Sequence, residues 1–133
     1  MNNALNLIGR LLLVALFLPA GLSKLSGFEG TVGYIESVGL PLPAVAAAAA
    51  LALEILGSLA LLIGFQTRLV AAVLALFTLV ATIFFHAFWA AAPEQAFVQQ
   101  LLFFKNMGVI GGLLVLASSG AGAWSLDAKK QAE

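Results

Sequence analysis

Apolar side chains fall in four long runs, at about residues 5–22, 44–65, 69–92 and 97–117. Each approaches the roughly 20 residues that a helix needs to cross a hydrocarbon core about 30 Å thick. Lipid offers the backbone no hydrogen-bond partner, and the runs lack the alternation of a membrane β-strand, so the pattern predicts helices. Short turns link three of them: Gly64 to Arg68 closes one hairpin and Pro93-Glu94-Gln95 another. The expected fold is all-α: an integral-membrane four-helix antiparallel bundle forming one transmembrane domain over 1–133, with a polar cytoplasmic tail at 118–133.

The one long connection runs from Ser23 to Pro43. Within it Phe28, Val32, Ile35 and Gly39 recur at helical spacing, with Glu29 and Glu36 on another side. That describes a short amphipathic helix at the interface, a re-entrant segment, or an ordered loop packed on the bundle. Gly39-Leu40-Pro41-Leu42-Pro43 ends it, because the residue before a proline is steered away from helix while a proline suits the next helix's first turn.

Composition sharpens this picture. Of 133 residues 62% are hydrophobic and 9% charged, against about 25% charged in soluble domains. Six Lys+Arg balance six Asp+Glu, so no net positive field exists for nucleic acid to feel. There is no cysteine and a single histidine, His86, which removes disulfides and thiolate ligation and leaves no expected metal site. The first run is a poor secretory signal, because Arg10 lies inside its apolar core and Ala20, Gly21 and Ser23 make a weak cleavage site. Lysines and arginines near the span ends set orientation: Arg68, Lys129 and Lys130 against Lys24 favour cytoplasmic N- and C-termini.

The informative residues are polar groups inside the apolar runs, since a charge at the bilayer centre costs at least ~2.5–3.5 kcal/mol and is expected to face the bundle interior. At ~1.5 Å per residue, Glu54 lies roughly 16 Å from either surface, Arg10 about 9 Å from the cytoplasmic side and Lys105 about 10–12 Å from the outer side. Glu54 is therefore expected to pair with Arg10, with Lys105, or with both in turn. If the pairs do no chemistry, they serve only to fix helix order. The other reading is a polar pocket in the outer half that takes a small ligand, a quinone or a lipid headgroup.

Helical spacing places these groups on faces. Thr78, Thr82 and His86 form one stripe, in which threonine hydroxyls can bond their own backbone. Arg10, Val14, Phe17, Gly21 and Lys24 share a face of the first span, and Ala47, Ala50, Glu54, Gly57 and Ser58 a face of the second. In the fourth, Lys105, Gly108 and Gly112 align, and the two glycines invite a neighbouring helix. Trp89 and Phe88 suit interfacial anchoring, whereas Phe84, Phe85, Phe103 and Phe104 lie at the depth of His86 and Lys105.

The runs Gly9-Arg10, Leu18-Pro19-Ala20-Gly21-Leu22-Ser23-Lys24-Leu25, Phe28-Glu29-Gly30-Thr31-Val32-Gly33-Tyr34-Ile35, Gly39-Leu40-Pro41, Glu54, Gly64-Phe65-Gln66-Thr67-Arg68, His86-Ala87-Phe88-Trp89 and Phe104-Lys105-Asn106 resemble the DoxX family of small four-helix bacterial inner-membrane proteins. The resemblance implies an inner-membrane location, functional positions at Arg10, Lys24, Glu54, His86, Lys105 and Asn106, and kinship with membrane subunits of quinone-linked redox or oxidative-stress systems. On that reading a quinone, not covalently held, sits between the third and fourth spans. His86 and Lys105 or Asn106 serve its oxygens, Glu54 sets the charge of Lys105, and a redox partner protein supplies electrons. A proton-coupled transporter working as a homo-oligomer, with Glu54 alternating between proton and cation, is a second class. A lipid-binding scaffold without turnover is a third, and whether the chain catalyses anything stays open.

Overall fold

A computed structural model of the chain describes residues 2–133. Four helices in it are long and apolar enough to cross a membrane. Helix α1 covers Asn3–Ser26, α2 Phe28–Ser37, α3 Pro43–Ile63, α4 Thr67–Phe85, α5 Pro93–Ser119 and α6 Leu126–Ala132. No strand occurs among the described residues. Large apolar side chains turn outward along the long helices, as Leu12, Leu56 and Val115 do at 68%, 65% and 67% exposure. That surface matches hydrocarbon, where an apolar exterior carries no hydration cost.

Helix ends depart from the runs where capping overrides hydropathy. Asn2 starts α1 early, its side chain accepting from the Leu5 amide at 3.1 Å, which satisfies one orphan donor of the first turn. The third apolar run extends to residue 92, yet α4 stops at Phe85; His86 caps it and a 3-10 turn, Phe88–Ala90, follows. Pro93-Glu94-Gln95, expected as a turn, instead opens α5, because proline has no amide hydrogen to lose in the first turn. The long connection holds α2, with Ile35 buried and Phe28 and Val32 half-buried on its inner side.

Helix α1 packs on α3 and α2, α3 also on α4, and α4 on α5. The shared core is built by Val14 and Phe17 of α1, Leu61 of α3, Leu74 of α4, and Leu113 and Leu116 of α5. Two buried glycines set the fit. A Cβ on Gly21 would meet Ile55 Cγ1 at 2.7 Å and Glu54 Cβ at 3.0 Å, so α1 approaches α3 closely only because that side chain is missing. Gly64, at φ +71°, ends α3 in the left-handed region and lies against Ser125.

The segment expected as a polar tail is tied to the helix ends. The Asp127 carboxylate accepts from the Gln66 and Thr67 amides at 2.7 and 2.9 Å, capping α4, while its own amide donates to Gly64 O at 2.9 Å. Asn6 donates to Gly120 O at 2.8 Å, and Asn3 accepts from the Ala123 amide at 3.0 Å. Arg68 donates to the Ala117 and Ser118 carbonyls at the end of α5.

Candidate functional site

Lys24 projects from the last turns of α1 and Glu54 from the middle of α3, brought together by the close approach at Gly21. The Lys24 ammonium donates to both Glu54 oxygens, at 3.0 and 2.9 Å. Side-chain exposure is 28% for Lys24 and 7% for Glu54. Two of three ammonium protons are used on Glu54, which leaves one to serve a guest. The Ser58 hydroxyl donates to the Glu54 carbonyl within α3.

Opposite this pair lie the polar groups of α4 and α5. The Thr78 and Thr82 hydroxyls donate to Leu74 O and Thr78 O at 2.7 and 2.6 Å, the expected local bonding. Thr82 also accepts from Asn106 Nδ2 at 3.0 Å, which ties α5 to α4. His86 Nδ1 lies 2.8 Å from Gln99 Oε1. With that oxygen accepting, Nδ1 carries the proton and Nε2 of the neutral ring is an acceptor.

A cavity of about 670 Å³ joins Lys24, Glu54, His86 and Asn106, within the ~300–1,000 Å³ usual for small-molecule sites. Phe17, Ala50 and Ala81 form part of its apolar wall, while Thr31 and Tyr34 of α2 close one side. Tyr34 and Phe85 stack with ring centroids 4.8 Å apart. One end of the cavity is thus charged and hydrogen-bonding, and the rest is apolar.

Four of the six residues singled out from sequence meet here, and two do not. Arg10 is fully buried but does not reach Glu54. Its guanidinium donates to Leu61 O and Leu62 O at 2.9 and 3.2 Å, to Trp124 O at 2.6 Å and to Asn6 Oδ1 at 3.0 Å. The α3 carbonyls are the orphan acceptors of a helix C-terminus, where the helix dipole favours a cation. Leu61 lies seven residues beyond Glu54, about 10 Å along the helix, so Arg10 serves the other end of the molecule. Lys105 is exposed on α5 and lines no part of the cavity. The expected pairing of Glu54 with Arg10 or Lys105 is therefore replaced by pairing with Lys24, and Glu54 does not set the charge of Lys105.

Two further expectations change. The cavity lies among α1, α2, α3 and α4 with Asn106 as the contribution of α5, rather than between the third and fourth spans alone. Of the four phenylalanines placed at its depth, Phe85 lines it, whereas Phe103 and Phe104 stack with Phe88 and Trp89 elsewhere. Gly108 and Gly112 face open space, so no helix of this chain uses the small-residue contact. Gln99 was overlooked, though it lies seven residues, two helical turns, before Asn106 on the same face. Among the described residues no cluster of His, Asp or Glu could hold a metal.

Four apolar helices around an internal polar cluster define a multi-pass membrane protein. The chain matches the DoxX family profile over residues 5–87 and belongs to that family. It is 36% identical over 121 residues to inner membrane protein YphA of Escherichia coli (strain K12), covering 91% of this chain and 86% of the relative. Inner membrane protein YqjF of the same organism is 41% identical over 124 residues, 91% of this chain and 88% of that protein. A Surfeit locus protein 4 homolog of Schizosaccharomyces pombe is 37% identical over 71 residues, 52% of this chain and 24% of that protein. No solved structure matches the chain. It is a multi-pass protein of the bacterial inner membrane.

Proposed function

We propose that this protein is a membrane accessory of a quinone-linked redox or oxidative-stress system and binds the ring of a quinone in the cavity bounded by Lys24, Glu54 and His86. The observation that supports this most is that cavity: a paired ammonium with a proton to spare, an imidazole acceptor and aromatic wall in one space of about 670 Å³. A bound quinone supplies two-electron, two-proton redox chemistry, with the electrons coming from a partner protein. Lys24, positioned by its contact with Glu54, would donate a hydrogen bond to one ring oxygen. His86 would serve the other end of the ring through Nε2, accepting a hydrogen bond from a hydroxyl of the reduced form. Gln99 holds the imidazole in the orientation that presents Nε2.

On this reading both termini face the cytoplasm and the cavity lies in the outer half, supported by Arg68, Lys129 and Lys130 at one end of the spans against Lys24 at the other. The Lys24 contact counts against a proton-coupled cation transporter, since both Glu54 carboxylate oxygens already accept from an ammonium, which leaves no open carboxylate for a second cation.

The test is purification in mild detergent from native membranes, mass spectrometry of extracted lipids, and titration with a water-soluble quinone followed by fluorescence quenching. Quinone is expected in the extract, and His86→Leu is expected to weaken binding about ten-fold through the lost acceptor. A preparation that holds no quinone and does not bind the added one overturns the reading and leaves a scaffold.

A further inference from the structure

A second, separate space lies where α1 faces α5. These two helices are not packed closely along their outer sides, and a groove of about 400 Å³ runs between them. Its walls include Gly9, Leu12 and Leu13 of α1 and Val109, Gly112 and Val115 of α5. Leu16 borders both the groove and the polar cavity, so the two spaces adjoin at one side chain. From Leu16 to Leu5 the groove follows about 16 Å of helix toward the end of the molecule opposite Lys24.

The lining of the groove is mostly apolar, and the polar residues at its far end are engaged within the protein. Arg10 spends its guanidinium on three carbonyls and Asn6, and Asn6 donates to Gly120 O. A guest along this track is therefore apolar here and meets hydrogen-bonding groups only beyond Leu16. Space is open beside Gly9 and Gly112, where a Cβ would meet nothing within 4 Å.

We infer that the α1–α5 groove holds the long apolar tail of the amphiphile whose polar ring occupies the Lys24–Glu54–His86 cavity, which makes the ligand class a quinone with an isoprenoid chain. This rests on the function proposed above and adds a length requirement that the cavity alone does not impose. Adjoining the charged cavity at Leu16 is what favours a tail over an independent guest such as a second copy of the chain.

The test compares two probes, a benzoquinone ring without a tail and the same ring bearing several isoprene units, on the intact protein in detergent. The variants are Gly112→Leu and Gly9→Leu, which fill the groove from opposite walls at exposed helix positions. Each is expected to weaken the tailed probe about ten-fold and to leave the tailless probe unchanged. Equal binding of both probes to wild type and variants overturns the tail groove while the ring site stands. Equal weakening of both probes also overturns it, because the substitutions then act on the ring site. If the variants change only the mass of the particle in solution, a second copy occupies the groove and the inference fails. Failure of both probes on the wild type removes the ring site and the groove together.

Discussion

Lys24 and Glu54 pair with each other, Glu54 buried and Lys24 partly exposed. Removing the carboxylate strands the ammonium, whereas removing both leaves an apolar gap. Glu54→Ala is expected to cost about 1–2 kcal/mol more stability than Glu54→Ala combined with Lys24→Met, a modest figure because Lys24 is partly exposed. Thermal unfolding in detergent measures this, and equal midpoints for the two variants would refute the pairing. The same cycle run with Arg10→Leu should show no such relief, since Arg10 is held by carbonyls. That Glu54 needs a cation was legible from one acid in an apolar run. Which cation was not, because sequence separation carries no information on lateral distance: Arg10 and Lys105 were the expected partners, and it is the close approach of α1 to α3 at Gly21 that brings Lys24 to Glu54 instead.

At the scale of elements, the docked C-terminal segment is the least foreseeable part. Its short helix α6 reads as a solvated tail by composition, with Lys129 and Lys130 exposed, yet Asp127 caps α4 and Trp124 O accepts from Arg10. Burial pushes the Asp127 carboxyl up, but hydrogen bonds from Thr67 and Gln66 and the nearby Lys130 outweigh it and hold it below the usual carboxylate range. A depressed folded-state value contributes stability above the unfolded value of about 3.9 and loses it as pH falls through the folded one. Hydrogen-exchange protection over residues 120–133, relative to the unfolded chain, should therefore be high at neutral pH and fall only in acid, below about pH 4. Asp127→Asn should exchange faster at neutral pH and lack that acid step. If the variant and the wild type show the same profile, the cap does not hold the segment.

For the whole molecule, orientation is the property on which the placement of the cavity depends. The chain contains no cysteine, so single cysteines report cleanly. Ser23→Cys, near the Lys24 end, should react with a membrane-impermeant maleimide applied from outside intact inner membrane, and Ser118→Cys only after the cytoplasmic face is opened. The reverse pattern would turn the cavity toward the cytoplasm.

Hydropathy alone determined that four helices span a membrane and that most polar groups within them turn inward, Lys105 excepted, because a bilayer penalises every unsatisfied backbone group and every lipid-facing charge. The family is legible too, from motifs spread along the chain. The tertiary structure decided the partners: Lys24 for Glu54, helix-end carbonyls for Arg10, Gln99 for His86, and open surroundings for Lys105. Those outcomes depend on which faces of neighbouring helices come within hydrogen-bonding reach, a matter of small-residue packing and rotation about each axis that the linear pattern does not encode.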